Sequence, residues 1–365
     1  MILSRLDSLI RVGQLKQWQG LVEKERREHS LKYLFWETTH ACPLSCRHCG
    51  SDCGKPLDKE LSTDEIKGAL KSISRDFDAE KIMIAITGGE PLMRKDLFEV
   101  MKFARSLGFR WGLVTSGMLV NEQTIRLCEE SDMSTVTVSI DGLEETHDML
   151  RGAKGSFNKA VDALRMFKES GKFEVVQATT CVSQYNIAEL PALHALFTEM
   201  GIDEWRLLTV NPIGRAKDDK RLTLKPAQFR SLMEFIVERR KNKAMKTLFE
   251  EEGFLGIEYE GRVRDSLFYC PAGVNVGSIL CDGSISACPN LPRTFIQGNV
   301  RKDSFKDVWE NGFRIMRNLE WKKRGMCSKC VWWTFCKGNS LHLWDEEAGR
   351  PSVCHIHMLQ EAQKT

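Results

Sequence analysis

The chain has 365 residues, of which 42% are hydrophobic, so it has room for one large domain with a sizeable core and a smaller domain beside it. Its 53 basic and 50 acidic residues leave a net charge of +3, and no basic block indicates nucleic-acid binding. The sequence also contains no uninterrupted apolar run of the length that a membrane span requires.

Residues 1–30 form an amphipathic stretch with scattered charges, which predicts an N-terminal helical segment. The stretch lacks the continuous apolar region and the small-residue cleavage site of a signal peptide. We therefore expect a cytoplasmic protein. In that reducing compartment, metal ligation is a better interpretation of the 13 cysteines than disulfide bonding.

Residues 31–245 alternate between strand and helix patterns. Apolar and β-branched runs predict six strands, at 31–39, 81–89, 109–117, 134–142, 173–182 and 204–210. Apolar residues at helical spacing predict helices between them, at 63–73, 96–108, 121–131, 158–170 and 190–200. Repeated strand-helix units predict an α/β fold with a parallel sheet and right-handed crossovers.

The loop after the first predicted strand carries four cysteines: Cys42, Cys46, Cys49 and Cys53. The first three have the spacing CxxxCxxC, and no second CxxC follows before Cys327. Zinc ribbons need two such pairs to supply four protein ligands, whereas three thiolates leave one metal position open for chemistry. Cys53 is a conceivable fourth ligand. We interpret it as a free thiol, because a fourth thiolate would close the open position.

The second predicted strand ends at Gly88, Gly89, Glu90 and Pro91. Glycines let a backbone approach a ligand closely, and a carboxylate at such a junction can hold a cationic amine. With the cysteine loop, this GGEP segment resembles the radical S-adenosylmethionine (SAM) superfamily. The resemblance implies a 4Fe-4S cluster on Cys42, Cys46 and Cys49 whose fourth iron binds SAM. Reductive cleavage of SAM then gives a 5'-deoxyadenosyl radical that takes hydrogen from the substrate. It also implies that Gly88, Gly89 and Glu90 hold the SAM ammonium.

A third segment, VTVSIDG, alternates apolar residues with Thr135, Thr137 and Ser139, which predicts a strand with one hydroxyl-bearing face. By resemblance, Ser139 would contact the SAM ribose, although an ordinary strand-end serine is an equal alternative. Arg151 resembles an arginine that reaches the SAM carboxylate. Asp141 either caps the following turn or lines the substrate pocket, and we favour the cap.

The same resemblance extends to the whole strand-helix region. Its six units match the partial (β/α)6 barrel of radical SAM enzymes, which is open on one side for a large substrate. Residues 115–117, Thr-Ser-Gly, lie where the family often has a polar turn. His48 occupies the usually aromatic position of the cysteine motif, and we expect it to pack near SAM without binding metal.

Seven cysteines lie between residues 270 and 354. Their arrangement resembles the SPASM domain, a small C-terminal extension that binds up to two auxiliary iron-sulfur clusters. Cys270, Gly283 and Cys288 match its opening pattern. Its later pattern is matched only in part, because Ser340 stands where a fourth cysteine is expected. We predict a linker at 246–265 and a SPASM domain at 266–365.

By resemblance, one complete auxiliary cluster is expected on Cys327, Cys330, Cys336 and Cys354. A second would be held by Cys270, Cys281 and Cys288, with a fourth position that is unfilled or taken by the Ser340 oxygen, water or substrate. The alternatives are a 2Fe-2S cluster, a single auxiliary centre, or zinc in the later group.

The resemblance implies an oxidoreductase that oxidises or crosslinks a peptide or protein side chain, with ferredoxin or flavodoxin as electron donor. Sulfatase activation is disfavoured, because those enzymes carry an aspartate base where this chain has Pro289. Two alternatives remain: modification of a tetrapyrrole haem precursor, and a non-catalytic iron-sulfur scaffold. The sequence does not identify the substrate or the catalytic acid or base.

Overall fold

The computed structural model describes residues 5–250 and 253–364. Residues 1–4, 251–252 and 365 belong to the predicted N-terminal segment, linker and SPASM domain, respectively, and lie outside the described residues.

A single mostly parallel sheet organises the described part of the chain. Its ten strands, in the spatial order β10-β9-β8-β1-β2-β3-β4-β5-β6-β7, are parallel from β8 through β7, whereas β9 and β10 are antiparallel additions. The strands are β1 (Tyr33–Glu37), β2 (Met83–Thr87), β3 (Arg110–Thr115), β4 (Thr135–Ser139), β5 (Val175–Val182), β6 (Glu204–Thr209), β7 (Lys246–Phe249), β8 (Val276–Ile279), β9 (Ser284–Ser286) and β10 (Gly298–Asn299). A separate hairpin pairs β11 (Trp344–Asp345) with β12 (Arg350–Pro351).

Helices cross between the parallel strands and cover the sheet. They are α1 (Arg5–Glu28), α2 (Thr63–Asp76), α3 (Leu97–Ser106), α4 (Glu122–Glu130), α5 (Glu144–Arg151), α6 (Ser156–Ser170), α7 (Leu190–Glu199), α8 (Pro226–Arg239), α9 (Gly256–Tyr259), α10 (Phe305–Asp307), α11 (Arg314–Arg317), α12 (Trp333–Cys336) and α13 (His355–Glu361). No helix in the described ranges has the length and apolar character needed to cross a membrane.

The six predicted strands are confirmed as β1 to β6, and the five predicted helices as α2, α3, α4, α6 and α7. The prediction succeeded because these elements have strong periodic patterns. In α2, for example, Ile66, Leu70 and Ile73 recur at helical spacing and are fully buried, while Ser62 and Glu65 form a capping box at its start. The predicted α/β class follows from the same alternation.

Four strands of the sheet, β7 to β10, were not predicted. β7 lies inside the predicted linker and pairs in parallel with β6. β8 pairs in parallel with β1, so the C-terminal region continues the sheet of the strand-helix region. β8 has the sequence VGSI, whose Gly277 and Ser278 have low strand propensity, and its place is set by packing on residues distant in sequence. The boundaries of the SPASM domain remain a prediction.

This topology gathers the loops that carry the predicted site residues. The carboxyl ends of parallel strands lie at one edge of a sheet, and ligands bind there in α/β proteins. The loops after β1, β2, β3 and β4 carry the cysteine motif, the GGEP segment, the polar turn at 115–117 and Asp141. The N-terminal helix α1 packs on the C-terminal region, where Trp18 lies 6.3 Å from Tyr269 between ring centroids.

The junction of β8 with the aromatic residues behind it provides a test of this architecture. A Cβ atom at Gly277 would lie 2.9 Å from Phe305 Cζ and 3.2 Å from Trp309 Cζ3. We expect Gly277→Val to lower the free energy of unfolding by about 1–3 kcal/mol through overpacking, as measured by urea denaturation of the anaerobically purified protein. Gly68→Ala is the control, because Gly68 is an exposed residue of α2 with open space around it, and this change should stabilise by up to about 1 kcal/mol. Equal stability of Gly277→Val and the unchanged protein would contradict the described packing.

Candidate functional site

The GGEP segment is bonded directly to the chain that leads into the cysteine loop. The Gly89 N–H donates to Thr39 O at 2.8 Å, and the Glu90 N–H donates to Ala41 O at 2.8 Å. A Cβ atom at Gly88, whose φ is +141°, would lie 2.6 Å from Thr39 O, and one at Gly89 would lie 2.2 Å from Ala41 O. Both glycines are therefore required by the close approach of these two loops.

Glu90 is fully buried, and its carboxylate is oriented by the polar turn after β3. Oε1 accepts a hydrogen bond from Thr115 Oγ1 at 2.8 Å. Oε2 accepts from the Ser116 N–H at 2.9 Å and from Ser116 Oγ at 2.5 Å. The structure thus brings together two segments that the sequence analysis named separately. A carboxylate fixed by several donors at the sheet edge offers its remaining lone pairs to a cationic ligand.

Three thiols of the cysteine loop lie close enough to interact electrostatically. Burial raises the pKa of Cys42, and Cys46 and Cys49 both add to that rise. Burial also raises the pKa of Cys46 against the charge of Arg151, with a contribution from Cys49. A hydrogen bond from the Cys53 thiol lowers the pKa of Cys49 to about 5. The same bond raises the pKa of Cys53, so Cys53 contacts Cys49 as its hydrogen-bond donor.

Arg215, which the sequence analysis missed, supports the cysteine loop from the segment after β6. Its side chain donates from Nε to Cys46 O at 2.8 Å and from Nη1 to Asp52 Oδ1 at 2.7 Å. Its backbone N–H donates to Cys49 O at 3.1 Å. The preceding Gly214 has φ +55°, and a Cβ atom there would lie 2.4 Å from Cys49 O. A glycine followed by an arginine has no distinctive spacing, so only the three-dimensional fold reveals this contact.

Asp141 forms the centre of a buried charge network, so the expectation that it caps the following turn is wrong. Its Oδ2 lies 2.6 Å from Arg151 Nη2 and 3.1 Å from His48 Nε2, and its Oδ1 accepts from the Cys181 N–H at 2.8 Å. Burial alone would raise the pKa of this carboxyl, but Arg151 and His48 outweigh burial and hold it well below its ordinary range. The carboxylate is therefore ionised and forms an ion pair with Arg151.

The ligand-type atoms of His48, Asp141 and Cys181 lie within 4.8 Å of one another, which is a geometry that metal ions also favour. The guanidinium of Arg151 already neutralises Asp141 in this group. We therefore interpret the group as an ion-pair network that orients the motif residue His48, and not as a separate cation site.

The other predicted SAM contacts lie at the same edge. Arg151 Nη1 lies 3.8 Å from Cys46 Sγ, which places this guanidinium between Asp141 and the cysteine loop. Ser139 is half-buried at the last position of β4, opposite Thr179 of β5. The contacts of Arg151 and Ser139 with SAM stay predictions.

The later cysteines of the C-terminal region form a second group. Burial raises the pKa of Cys327, with contributions from Cys354 and Cys330, and burial raises the pKa of Cys336 to about 12, with a contribution from Cys354. Cys336 Sγ also accepts a hydrogen bond from the Asn339 N–H at 3.2 Å. These four thiols are close enough to act electrostatically on one another, as the predicted cluster requires.

A cavity of about 190 Å³ lies between the GGEP loop and the C-terminal region. Cys270 and Cys288 line it, whereas Cys281 is not among its lining residues. The backbone N–H of Cys281 donates to Glu37 Oε1 at 3.3 Å, and burial, together with Glu37, raises the pKa of the Cys281 thiol. The lining residues are Phe35, Glu37, Ser51, Thr87, Gly88, Cys270, Pro271, Ala272, Val276, Cys288, Pro289, Asn290, Leu291, Ser340 and His342. The structure thus brings together two of the three early cysteines and places the third beside a carboxylate.

Two regions of the chain match the profiles of known protein families. The sequence profile of the radical SAM superfamily matches residues 36–197, and that of the SPASM domain, an iron-sulfur cluster-binding domain, matches residues 270–331. The mycofactocin maturase MftC of Mycolicibacterium smegmatis is 31% identical over 316 residues, which cover 84% of this chain and 77% of the maturase. The chain belongs to the radical SAM superfamily.

A second radical SAM relative has a different activity. The AdoMet-dependent heme synthase of Methanosarcina barkeri is 26% identical over 329 residues, covering 84% of this chain and 90% of the synthase. Among solved structures, anSMEcpe with bound AdoMet and the Cp18Cys peptide superposes with a TM-score of 0.70 at 20% identity, covering 92% of this chain and 96% of that protein. Streptococcus suis SuiB bound to SAM superposes with a TM-score of 0.69 at 17% identity, and the superposition covers 85% of this chain and 72% of SuiB.

Membership confirms the predicted radical SAM and SPASM architecture, the enzyme class, and SAM with iron-sulfur clusters as cofactors. The two structures confirm the fold alone, because their identities are low. Which residues of this chain bind each cofactor is not decided by these comparisons.

The ion pair between Asp141 and Arg151 can be tested by stability measurements. Arg151→Gln leaves a buried carboxylate without its main partner and should lower the free energy of unfolding by about 3–5 kcal/mol. The double variant Asp141→Asn/Arg151→Gln removes both charges and should lose clearly less, as measured by denaturant unfolding of the unchanged protein, the two single variants and the double variant. Additive losses from Asp141→Asn and Arg151→Gln would show that the two side chains do not interact.

Proposed function

We propose that this radical SAM/SPASM enzyme oxidises or crosslinks a side chain of a peptide or protein. The observation that carries the proposal is the cavity that extends from Thr87 and Gly88 beside the cysteine loop to Cys270 and Cys288 in the SPASM region. A substrate in this cavity would contact both the SAM side and the auxiliary-cluster side of the protein. That arrangement suits a reaction that removes a hydrogen atom and then an electron from one substrate.

The donor set of the cysteine loop fits a cluster with an open iron. Cys42, Cys46 and Cys49 offer three thiolates on one loop, while Cys53 is hydrogen-bonded to Cys49. We assign the SAM-binding 4Fe-4S cluster to these three residues. When bound, such a cluster supplies the electron that cleaves SAM to the 5'-deoxyadenosyl radical. Arg215 holds the loop carbonyls so that the thiols keep their relative positions.

Gly88, Gly89 and Glu90 are assigned to the SAM ammonium, and Ser139 and Arg151 to the ribose and carboxylate. Glu90 is suited to this role because Thr115 and Ser116 fix its carboxylate before any ligand arrives, which reduces the cost of ordering it on binding. Arg151 is held between Asp141 and Cys46, and so directs positive charge to the place where cluster and SAM would meet.

The auxiliary clusters are assigned to the SPASM cysteines. Cys327, Cys330, Cys336 and Cys354 would hold one cluster, and Cys270 and Cys288, with Cys281 as the predicted third ligand, would hold the other. Thiolates are the usual iron-sulfur ligands, and Trp332 and Trp333 lie between ligand positions in the sequence, where they would limit the access of water to a cluster. Ferredoxin or flavodoxin is the proposed electron donor.

The cavity also offers a group that can accept a proton. Glu37 is the one carboxylate among its described lining residues, and it accepts a hydrogen bond from the Cys281 N–H at 3.3 Å. Oxidation of a substrate side chain releases a proton as well as electrons. Glu37 is positioned to take up that proton, a role that sequence reasoning did not assign to any residue.

The charge of the cavity favours a peptide over a haem precursor. Tetrapyrrole precursors carry several carboxylates, which proteins usually bind with Arg or Lys. The lining residues that the structure describes include neither Arg nor Lys, and they include Glu37. Peptide substrates are also named for similar proteins: SuiB has been solved with its precursor peptide SuiA, and anSMEcpe with peptides.

Haem-precursor modification is the second candidate, because AdoMet-dependent heme synthases match this chain over most of their length. The two functions differ in what the protein binds. A shift in the absorption spectrum of an added iron-coproporphyrin would favour the haem function. Loss of two hydrogens from a co-expressed candidate peptide, measured by mass spectrometry, would favour the peptide function.

The SAM-binding assignment predicts distinct outcomes for two neighbouring cysteines. Cys46→Ala should abolish the reductive formation of 5'-deoxyadenosine from SAM and should lose the irons of one cluster. Cys53→Ala should keep the full iron content, because Cys53 is assigned no iron. Iron and sulfide analysis after anaerobic reconstitution, with chromatography of the nucleoside product, gives both readouts; three 4Fe-4S clusters correspond to about twelve irons per chain. Retained 5'-deoxyadenosine formation in Cys46→Ala would overturn the assignment.

A further inference from the structure

The wall of the cavity next to Cys270 and Cys288 has an unusual composition for a cluster site. Cys281 is not among the described lining residues of the cavity, and Ser340 occupies the position where a cysteine is expected. Two thiols therefore face this cavity, and an iron-sulfur cluster needs further ligands. The described lining also contains an imidazole, that of His342, two positions after Ser340.

His342 is held at the cavity by a short and well-anchored segment. It lies in the 3₁₀ turn Leu341–Leu343, whose two leucines are buried. The preceding Asn339 is fixed at both ends: its backbone oxygen accepts from Lys322 Nζ at 2.8 Å, and its Nδ2 donates to Val353 O at 2.8 Å. Rigid elements place ligands more accurately than mobile loops, so the position of the imidazole is preorganised.

One nitrogen of the His342 ring is engaged by the protein. Nε2 lies 3.3 Å from the side-chain amide nitrogen of Asn211, in the segment that follows β6, and the buried amide oxygen Oδ1 of Asn211 has no hydrogen-bond partner among the described residues. A 180° rotation of this amide lets Oδ1 accept from the Nε2–H of His342, which leaves the lone pair of the neutral ring on Nδ1. No hydrogen bond to the other nitrogen, Nδ1, is found among the described residues, although the ring lines the cavity. Metal-binding histidines commonly use one nitrogen for the metal while a neighbouring group orients the ring through the other.

The chemistry of the two candidate residues also differs. A serine hydroxyl must lose a proton to become a strong ligand, whereas a neutral imidazole binds a metal through its lone pair as it stands. Histidine ligation of iron-sulfur clusters occurs in Rieske centres, where it raises the reduction potential.

We propose that His342 is an iron ligand of the auxiliary cluster held by Cys270 and Cys288, with Asn211 orienting its ring. The inference rests on the proposed function, since it requires that cluster. A neutral imidazole in place of a thiolate makes the cluster less negative, and a less negative cluster accepts an electron more readily. The auxiliary cluster nearest the substrate cavity would thus be tuned to receive the electron that substrate oxidation releases.

The test detects nitrogen bound to iron in the full-length protein. A Cys42→Ala/Cys46→Ala/Cys49→Ala background removes the SAM-binding cluster, so that the remaining signals come from auxiliary clusters. Protein labelled with ¹⁵N-histidine is reduced anaerobically and examined by pulsed electron paramagnetic resonance. We expect a strong hyperfine coupling to histidine nitrogen that disappears in His342→Ala and persists in His357→Ala, because His357 is exposed on α13.

A rescue variant separates ligation from a structural role. Ser340→Cys in the His342→Ala background supplies a thiolate at the expected position. It should recover the iron lost in His342→Ala, lack the nitrogen coupling, and shift the midpoint potential of that cluster to more negative values. A merely structural role for His342 predicts no nitrogen coupling in the unchanged protein and no shift in potential.

The outcomes distinguish the inference from the function on which it rests. If Cys270→Ala/Cys288→Ala removes the irons of one cluster but histidine coupling is absent from the unchanged protein, the His342 assignment is wrong and the auxiliary cluster stands. If that double variant keeps all its iron, the proposed cluster and the His342 assignment both fail. Formation of 5'-deoxyadenosine, measured in the native cysteine-loop background, tests the SAM chemistry independently of either result.

Discussion

The backbone pairing of residues 39–41 with the GGEP segment is the constraint on which the site depends. It holds the loop that follows β1 against the loop that follows β2, with donor–acceptor distances of 2.8 Å at Gly89 and Glu90. The two glycines permit this approach because no side chain separates the two backbones. Hydrogen bonds within the protein therefore position both the cysteine loop and the buried carboxylate of Glu90.

From this junction, the polar contacts extend along the sheet edge towards β3, β4 and β5. Towards β3, Thr115 and Ser116 bond the carboxylate of Glu90. Towards β4 and β5, Asp141 links Arg151 to His48 of the cysteine motif. Buried charges are costly unless they are paired or hydrogen-bonded, and here Asp141 forms an ion pair with Arg151 while the carboxylate of Glu90 accepts hydrogen bonds from Thr115 and Ser116. The polar groups at this sheet edge therefore hold one another in place.

The sequence predicted the parts of this architecture that depend on local pattern. The strands β1 to β6 have β-branched or alternating sequences, and the cysteine and glycine motifs have spacings with a chemical reason. The sequence could not predict contacts that depend on long-range packing. β8 has a weak strand sequence and joins β1 across more than two hundred intervening residues. The local sequence around Asp141 favoured a turn cap, but the buried side chain of Arg151 binds its carboxylate instead. Arg215, in the segment that follows β6, contacts the cysteine loop, and no local sequence pattern predicts a contact between residues so far apart in the chain.

The continuity of the sheet links the two halves of the proposed chemistry. Because β8 pairs with β1 in register, Tyr33 with Val276 and Trp36 with Ile279, the chain leaving β8 emerges at the same edge as the chain leaving β1. Glu37 at the end of β1 therefore accepts a hydrogen bond from the backbone N–H of Cys281, just beyond β8. The paired strands β1 and β8 form one wall of the cavity between the GGEP loop and the C-terminal cysteines. A flexible linker between two domains would let the distance between their clusters vary. A shared sheet holds that distance constant, which is what successive removal of a hydrogen atom and an electron from one bound substrate requires.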